Sequence, residues 1–192
     1  MDIKVIVSIV AIILVFVGYV PYIIDTVKGT TRPHAFSYFL WALLVYIIFA
    51  LQLQAGGGLG SWITFTVATV MVVVFALSLK NGKRDIRKVD FIFLAIALLA
   101  IPVWLVADQP VLSIILLSTI DMLGFAPTVR KSWVDPWSET LFMYFMTAIR
   151  HSLAVIALTE INLVTALFPI TWTIANVLFI ILLIARRKQL PK

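Results

Sequence analysis

The chain contains no cysteine, which excludes disulfide staples, thiolate metal sites and cysteine nucleophiles. Charge is almost as scarce. Only 12% of the 192 residues are Asp, Glu, Lys or Arg, against about 25% in soluble chains. Two histidines, His34 and His151, are too few and too far apart for a metal site. No Walker or Gly-x-Gly-x-x-Gly signature occurs, and the run Gly56 to Gly60 follows no strand. The stretch 163–185 lacks the lysine that a retinal protein requires. No enzyme constellation, cofactor or metal is therefore expected.

Apolar sequence is abundant instead. Hydrophobic residues make up 62% and the mean hydropathy is +1.10. A bilayer core about 30 Å thick needs roughly 20 apolar residues per helix. Such runs occur at 4–26, 35–55, 60–80, 89–107, 111–130, 138–158 and 163–185. Between them stand Gly56–Gly60, the charged stretch Lys80 to Asp90, Asp108-Gln109-Pro110 and Trp133-Val134-Asp135-Pro136. The first run is too long for a signal peptide and lacks a small-x-small cleavage pattern, so it reads as a retained helix.

Seven spans place loops one, three and five on the same face as the C-terminus. That face carries Lys28, Arg32, Lys80, Lys83, Arg84, Arg87, Lys88, Arg130, Lys131, Arg186, Arg187, Lys188 and Lys192. The other face has Lys4 alone, and Arg150 lies within a helix. The net charge of +6 thus reads as membrane topology and not as nucleic-acid binding. Basic loops stay in the cytoplasm, so the N-terminus is expected outside and the C-terminus inside, in a multi-pass protein of the plasma (inner) membrane.

The chain also resembles itself. A shift of 106 positions lays Gly18 on Gly124, Pro21 on Pro127, Phe36 on Phe142, Tyr38-Phe39 on Tyr144-Phe145 and Ala42 on Ala148. Three helices is an odd number, so two such units in the same orientation need one extra span between them. The expected fold is all-α: seven transmembrane helices forming two parallel three-helix bundles joined by a linker helix. The first repeat covers 1–82, the linker with its helix 83–108, and the second repeat 109–192.

In this 3+1+3 plan, outside N-terminus and paired prolines, the chain resembles the PQ-loop and SWEET superfamily over essentially its whole length. Each repeat of that family has a proline partway along its first helix and then a short basic cytoplasmic loop. The matching residues are Pro21 with Lys28 and Arg32, and Pro127 with Arg130 and Lys131. Tyr22 and Thr128 stand where the family motif has glutamine after the proline. The resemblance implies transport of a small polar solute, with sugar as the leading substrate, and one branch of the fold is a sorting receptor for retrieval peptides.

A proline inside a helix removes one backbone hydrogen bond, which makes Pro21 and Pro127 candidate hinges. Gly18 and Gly124 would permit close helix approach. Ionisable groups at membrane depth are costly unless paired or facing a cavity, which singles out Asp121, Arg150 and His151. The economical expectation is that Asp121 and Arg150 compensate each other. Trp172 and Asn176, one turn apart, share a helix face, and the sugar-transporting members line their pocket with these two residue types. Thr69, Tyr46, Trp41 and Gln52 are further lining candidates. Trp62, Trp133 and Trp137 read as interfacial belt residues.

The expected function is a small-solute transporter working by alternating access, by facilitated diffusion or with proton coupling. The intramembrane charges raise a competing expectation of a proton-coupled amino-acid or metabolite carrier. A non-transporting sorting receptor is the rival from another class. The partners expected are the lipid bilayer, a small polar solute and protons, with no nucleic acid; the plan also admits a homo-oligomer.

Overall fold

The computed structural model describes residues 2–29, 33, 35–81, 108–134, 136–139 and 141–190, with isolated positions between 91 and 106. Among the described residues every regular element is helical. The helices are α1 (Ile3–Val27), α2 (Ala35–Gln54), α3 (Leu59–Asn81), α4 (Pro110–Val134), α5 (Leu141–Ala157) and α6 (Leu163–Gln189), with a short 3₁₀ turn at Pro136–Ser138. Four of them are long and apolar enough to cross a membrane: Ile3–Val27, Ala35–Gln54, Leu59–Lys80 and Leu163–Gln189. Two shorter apolar helices, Pro110–Phe125 and Leu141–Ala157, accompany these.

The bounds follow local chemistry. Asp2 caps α1 by accepting a bond from the Lys4 N–H. Gly56, at φ +83°, ends α2: its N–H donates to the Leu53 carbonyl, while the Gly57 N–H donates to that of Gln52. That is the helix stop only a left-handed residue makes cheaply. Asn162 and Thr165 form a reciprocal capping box at the start of α6. At the other end of α6, Arg186, Arg187 and Lys188 occupy the last turn, where cations suit the helix dipole. This is why α6 runs to Gln189, past the apolar run that ends at 185. Pro21 lies inside an unbroken α1. Position 127 lies inside the backbone of α4, and its ring is outside the described residues.

The molecule is apolar outside, and polar side chains are drawn into an otherwise apolar interior. Along α1, Ile6, Ile9, Ile13, Phe16, Val20 and Ile24 are exposed, whereas Ser8, Ala11, Val15, Tyr19 and Thr26 are buried. Water would drive the opposite arrangement. Together with the long apolar helices, it identifies a membrane-embedded protein.

Packing repeats along the chain. In the first set α3 packs against both α1 and α2, and in the second α6 packs against both α4 and α5. Across the sets α1 lies close along α5, with lighter contacts of α2 on α4 and α6 and of α3 on α5. Gly124 is where the α2–α4 crossing is tight, since a Cβ there would sit 2.9 Å from Trp41 Nε1. Gly18 is looser, a Cβ meeting only Met146 at an ordinary 3.9 Å. One end of the bundle gathers Lys4, the 55–58 turn and the 158–162 turn, where Lys4 Nζ donates to the Leu158 carbonyl at 2.8 Å. The opposite end gathers 133–139 and the end of α6, where Arg186 Nε donates to the Trp133 carbonyl at 2.9 Å.

Six of the expected spans coincide with α1–α6 to within a few residues. Of the fourth, 89–107, only isolated residues are described; Phe91, Ile92, Ala95, Leu98, Leu99, Pro102 and Leu105 are helical and exposed. The rest of that span, and most of the 83–108 linker, lies outside the described residues.

Candidate functional site

Five residues singled out from the sequence come from three helices and meet in the interior. Asp121 is 1% exposed, Arg150 4%, His151 3% and Asn176 1%, with Trp172 partly buried beside them. Asp121 projects from the middle of α4. Arg150 and His151 come from the centre of α5, and Trp172 and Asn176 from α6 one turn apart.

Their contacts form one continuous chain. The Trp172 indole N–H donates to Asp121 Oδ2. The Trp172 ring stacks on the His151 ring, centroids 6.0 Å apart and planes 12° from parallel. Arg150 Nη2 lies 2.8 Å from His151 Nε2. A guanidinium has only donors, so His151 Nε2 accepts and the ring is the neutral tautomer with its proton on Nδ1. Asn176 Nδ2 donates back to the Trp172 carbonyl at 2.7 Å. Phe125 closes the edge of Trp172 in a T-shaped contact at 5.3 Å.

Asp121 and Arg150, expected to compensate each other, form no direct ion pair; each is engaged by an aromatic ring system instead. Tyr19 of α1 is buried within electrostatic reach of both. Desolvating a buried ion costs several kcal/mol, which the neighbours named offset: the Trp172 N–H for Asp121 and the His151 ring nitrogen for Arg150. Tyr19 was not read from the sequence as a site residue. Its signal was its place between Gly18 and Pro21 at the position that the 106 shift pairs with Phe125.

The other sequence candidates lie apart. Tyr46 Oη and Thr69 Oγ1 bond to each other at 3.0 Å across α2 and α3, and Thr69 is exposed. Trp41 is edge-on to Tyr38 at 5.5 Å and seated against Gly124. Trp62, Trp133 and Trp137 are exposed, with Arg186 over Trp133 and Arg187 over Trp137, each 4.6 Å from the ring centre.

The two sets differ sharply here. Moving back by 106 positions from Asp121, Arg150, His151 and Asn176 lands on Val15, Leu44, Val45 and Val70, all buried in one apolar cluster. The site is thus polar in the second set alone. Among the described residues no group of acidic, histidine or cysteine side chains could hold a metal ion.

A helical membrane protein with buried, opposite and mutually unpaired charges is the class that fold and site define. Comparison with known proteins adds no name: no family model, no curated protein and no solved structure matches the chain.

Proposed function

We propose that this protein is a small-solute transporter working by alternating access, its two three-helix units rocking about a site built from Asp121, Trp172, His151, Arg150 and Tyr19. The observation that carries the reading is that Asp121 and Arg150 are both buried and not paired with each other. Purely structural charges at membrane depth would gain most by pairing directly. Charges held apart by aromatic rings are placed to meet something else.

The 3+1+3 plan is supported by connectivity. The Lys4–Leu158 bond puts the start of α1 and the end of α5 at one end of the bundle. Following the antiparallel helices from each, Asn81 falls at the far end and Pro110 at the near end. One further crossing is needed to join them, and the apolar run 89–107 is the segment between. The same packing order in both units, third helix between first and second, supports a repeat related by an axis along the membrane normal. The basic residues then gather at the end holding Arg186 and Arg187, which favours a cytoplasmic C-terminus.

The solute best suited to this site is zwitterionic or charged, of the amino-acid class. Arg150 would receive the carboxylate and Asp121 the ammonium group. The aromatic face at Trp172 with Asn176 beside it favours a sugar as the second reading. Its weakness is energetic, since a neutral sugar offers no charge to a buried guanidinium. The test is uptake of labelled amino acids and labelled sugars into proteoliposomes, with and without a pH gradient. Uptake of an amino acid and not of a sugar is expected. If no solute crosses and a peptide binds at low pH, the protein is a receptor and the transport reading is lost.

A further inference from the structure

The end of the bundle that holds Lys4 is closed by bonds between the two units, and their chemistry is unusual for a membrane protein core. The Thr159 N–H donates to the Gly57 carbonyl and the Glu160 N–H to that of Gly56, each at 3.1 Å. Asn162 Nδ2 donates to the Ala55 carbonyl at 3.0 Å. Lys4 Nζ donates to the carbonyls of Leu158 and Thr159. The α2–α3 turn of one unit is therefore laid against the α5–α6 turn of the other, backbone to backbone.

Only glycine allows this approach. A Cβ on Gly60 would lie 2.8 Å from the Leu158 nitrogen and 2.9 Å from the Ala157 carbonyl carbon, atoms that cannot swing aside. Gly58 has φ +58°, and a Cβ there would strike Thr159 Oγ1 at 2.0 Å. The Gly56–Gly60 run, which matches no phosphate-binding motif, has its explanation in this contact.

A second feature lies one turn deeper. Pro169 sits inside α6 and has no N–H to offer the Thr165 carbonyl one turn earlier. Gln52 of α2 supplies the donor, its Nε2 lying 2.7 Å from that oxygen. A side chain of one unit thus completes a broken helix in the other. The closure is also imperfect: Gln52 Oε1 and Ser61 Oγ are buried here without a hydrogen-bond partner. Buried unpaired polar atoms oppose the closed arrangement, and water reaching an opened mouth would relieve both.

We propose that the 55–58 and 158–162 turns form the gate on the N-terminal side of the membrane, shut in this structure, with Gln52 as the catch that holds α6 at its proline break. The proposal rests on the transport reading above. Its bonds are ones that water can replace at small net cost, so the gate opens without unfolding either unit.

The absence of native cysteine makes the test clean. Spin labels placed on the exposed positions of a Leu53→Cys, Ile161→Cys protein report the separation of the two turns in liposomes. A short and a longer distance population are expected, with Gln52→Leu and Gly60→Ala each shifting weight to the longer. A single short distance, unchanged by Gln52→Leu, means a fixed clamp and overturns the gate; this arm stands even if Gly60→Ala fails to fold. In parallel, Ala55→Cys with Ile161→Cys is bridged by a short cleavable bismaleimide, and uptake of a labelled amino-acid mixture is measured. Loss of uptake on bridging and recovery on cleavage supports the gate. Equal uptake in both states overturns it and leaves transport standing. Absence of uptake in every state removes the transport reading, and the distance measurement then decides the gate by itself.

Discussion

At the scale of single residues, Asp121 and Arg150 are the groups whose burial most needs explaining. An asparagine at 121 mimics the protonated carboxyl. In Asp121→Asn, uptake is expected to be flat with pH and to sit at the low-pH limit of the parent protein, with expression retained. A collapse of expression instead would mean a structural role. Trp172→Phe keeps the ring against His151 and deletes the N–H that Asp121 accepts. Leaving a buried acceptor unpaired costs about 1–3 kcal/mol, so a lower melting temperature in detergent is expected. Arg150→Leu separates fold from function. The substitution removes a buried guanidinium and its desolvation cost, and it also leaves the His151 Nε2 acceptor without its donor, a loss of about 1–3 kcal/mol. The protein should still fold, with a melting temperature changed only modestly, while uptake of a carboxylate solute is lost; retention of uptake would remove Arg150 from the site.

Helix α6 is the element in which the most roles coincide. It carries Trp172 and Asn176, bears the break at Pro169, and closes one end of the bundle through its last turn. An interior proline costs a helix about 3 kcal/mol relative to alanine. Pro169→Ala should therefore raise the melting temperature and slow uptake, because the restored N–H competes with Gln52 for the Thr165 carbonyl. A faster carrier would contradict a role for the Pro169 break in uptake. At the other end Arg187 donates to the carbonyls of Pro136 and Glu139 and covers Trp137. Arg187→Ala is expected to lose about 2 kcal/mol of stability, read as the melting temperature, without changing the solute preference of a site more than half the helix away.

For the whole molecule, the lopsided placement of Lys and Arg makes orientation testable. Ile161 is exposed at the Lys4 end, and Lys188 is in the last turn of α6. In intact cells an impermeant maleimide should label Ile161→Cys directly and Lys188→Cys only after permeabilisation. The reverse pattern would turn the topology over and place the glycine turns on the cytoplasmic side. The asymmetry of the two units belongs to this scale as well. Val15, Leu44 and Val45 of the first set are buried in an apolar cluster, whereas Asp121, Arg150 and His151 at the positions 106 residues later are buried polar groups.

Much of this was determined by the sequence alone. Apolar runs mark α1–α6 to within a few residues, and four of these helices are long and apolar enough to cross a membrane, where a helix must satisfy its own backbone. Asp121, Arg150, His151, Trp172 and Asn176 stood out because polar groups are rare and costly there. What only the tertiary structure decided is which of these meet and what they touch. A lone threonine or tyrosine on an apolar helix has no sequence mark for the face it takes, so Thr69 and Tyr46 pair with each other away from the cluster. Nothing local shows that Asp121 accepts from Trp172 and not from Arg150, or that Tyr19 is within electrostatic reach of both. The glycines from 56 to 60 and the proline at 169 carry meaning only against a turn and a glutamine far away in the chain, since close approach is a property of two surfaces and is written in neither one alone.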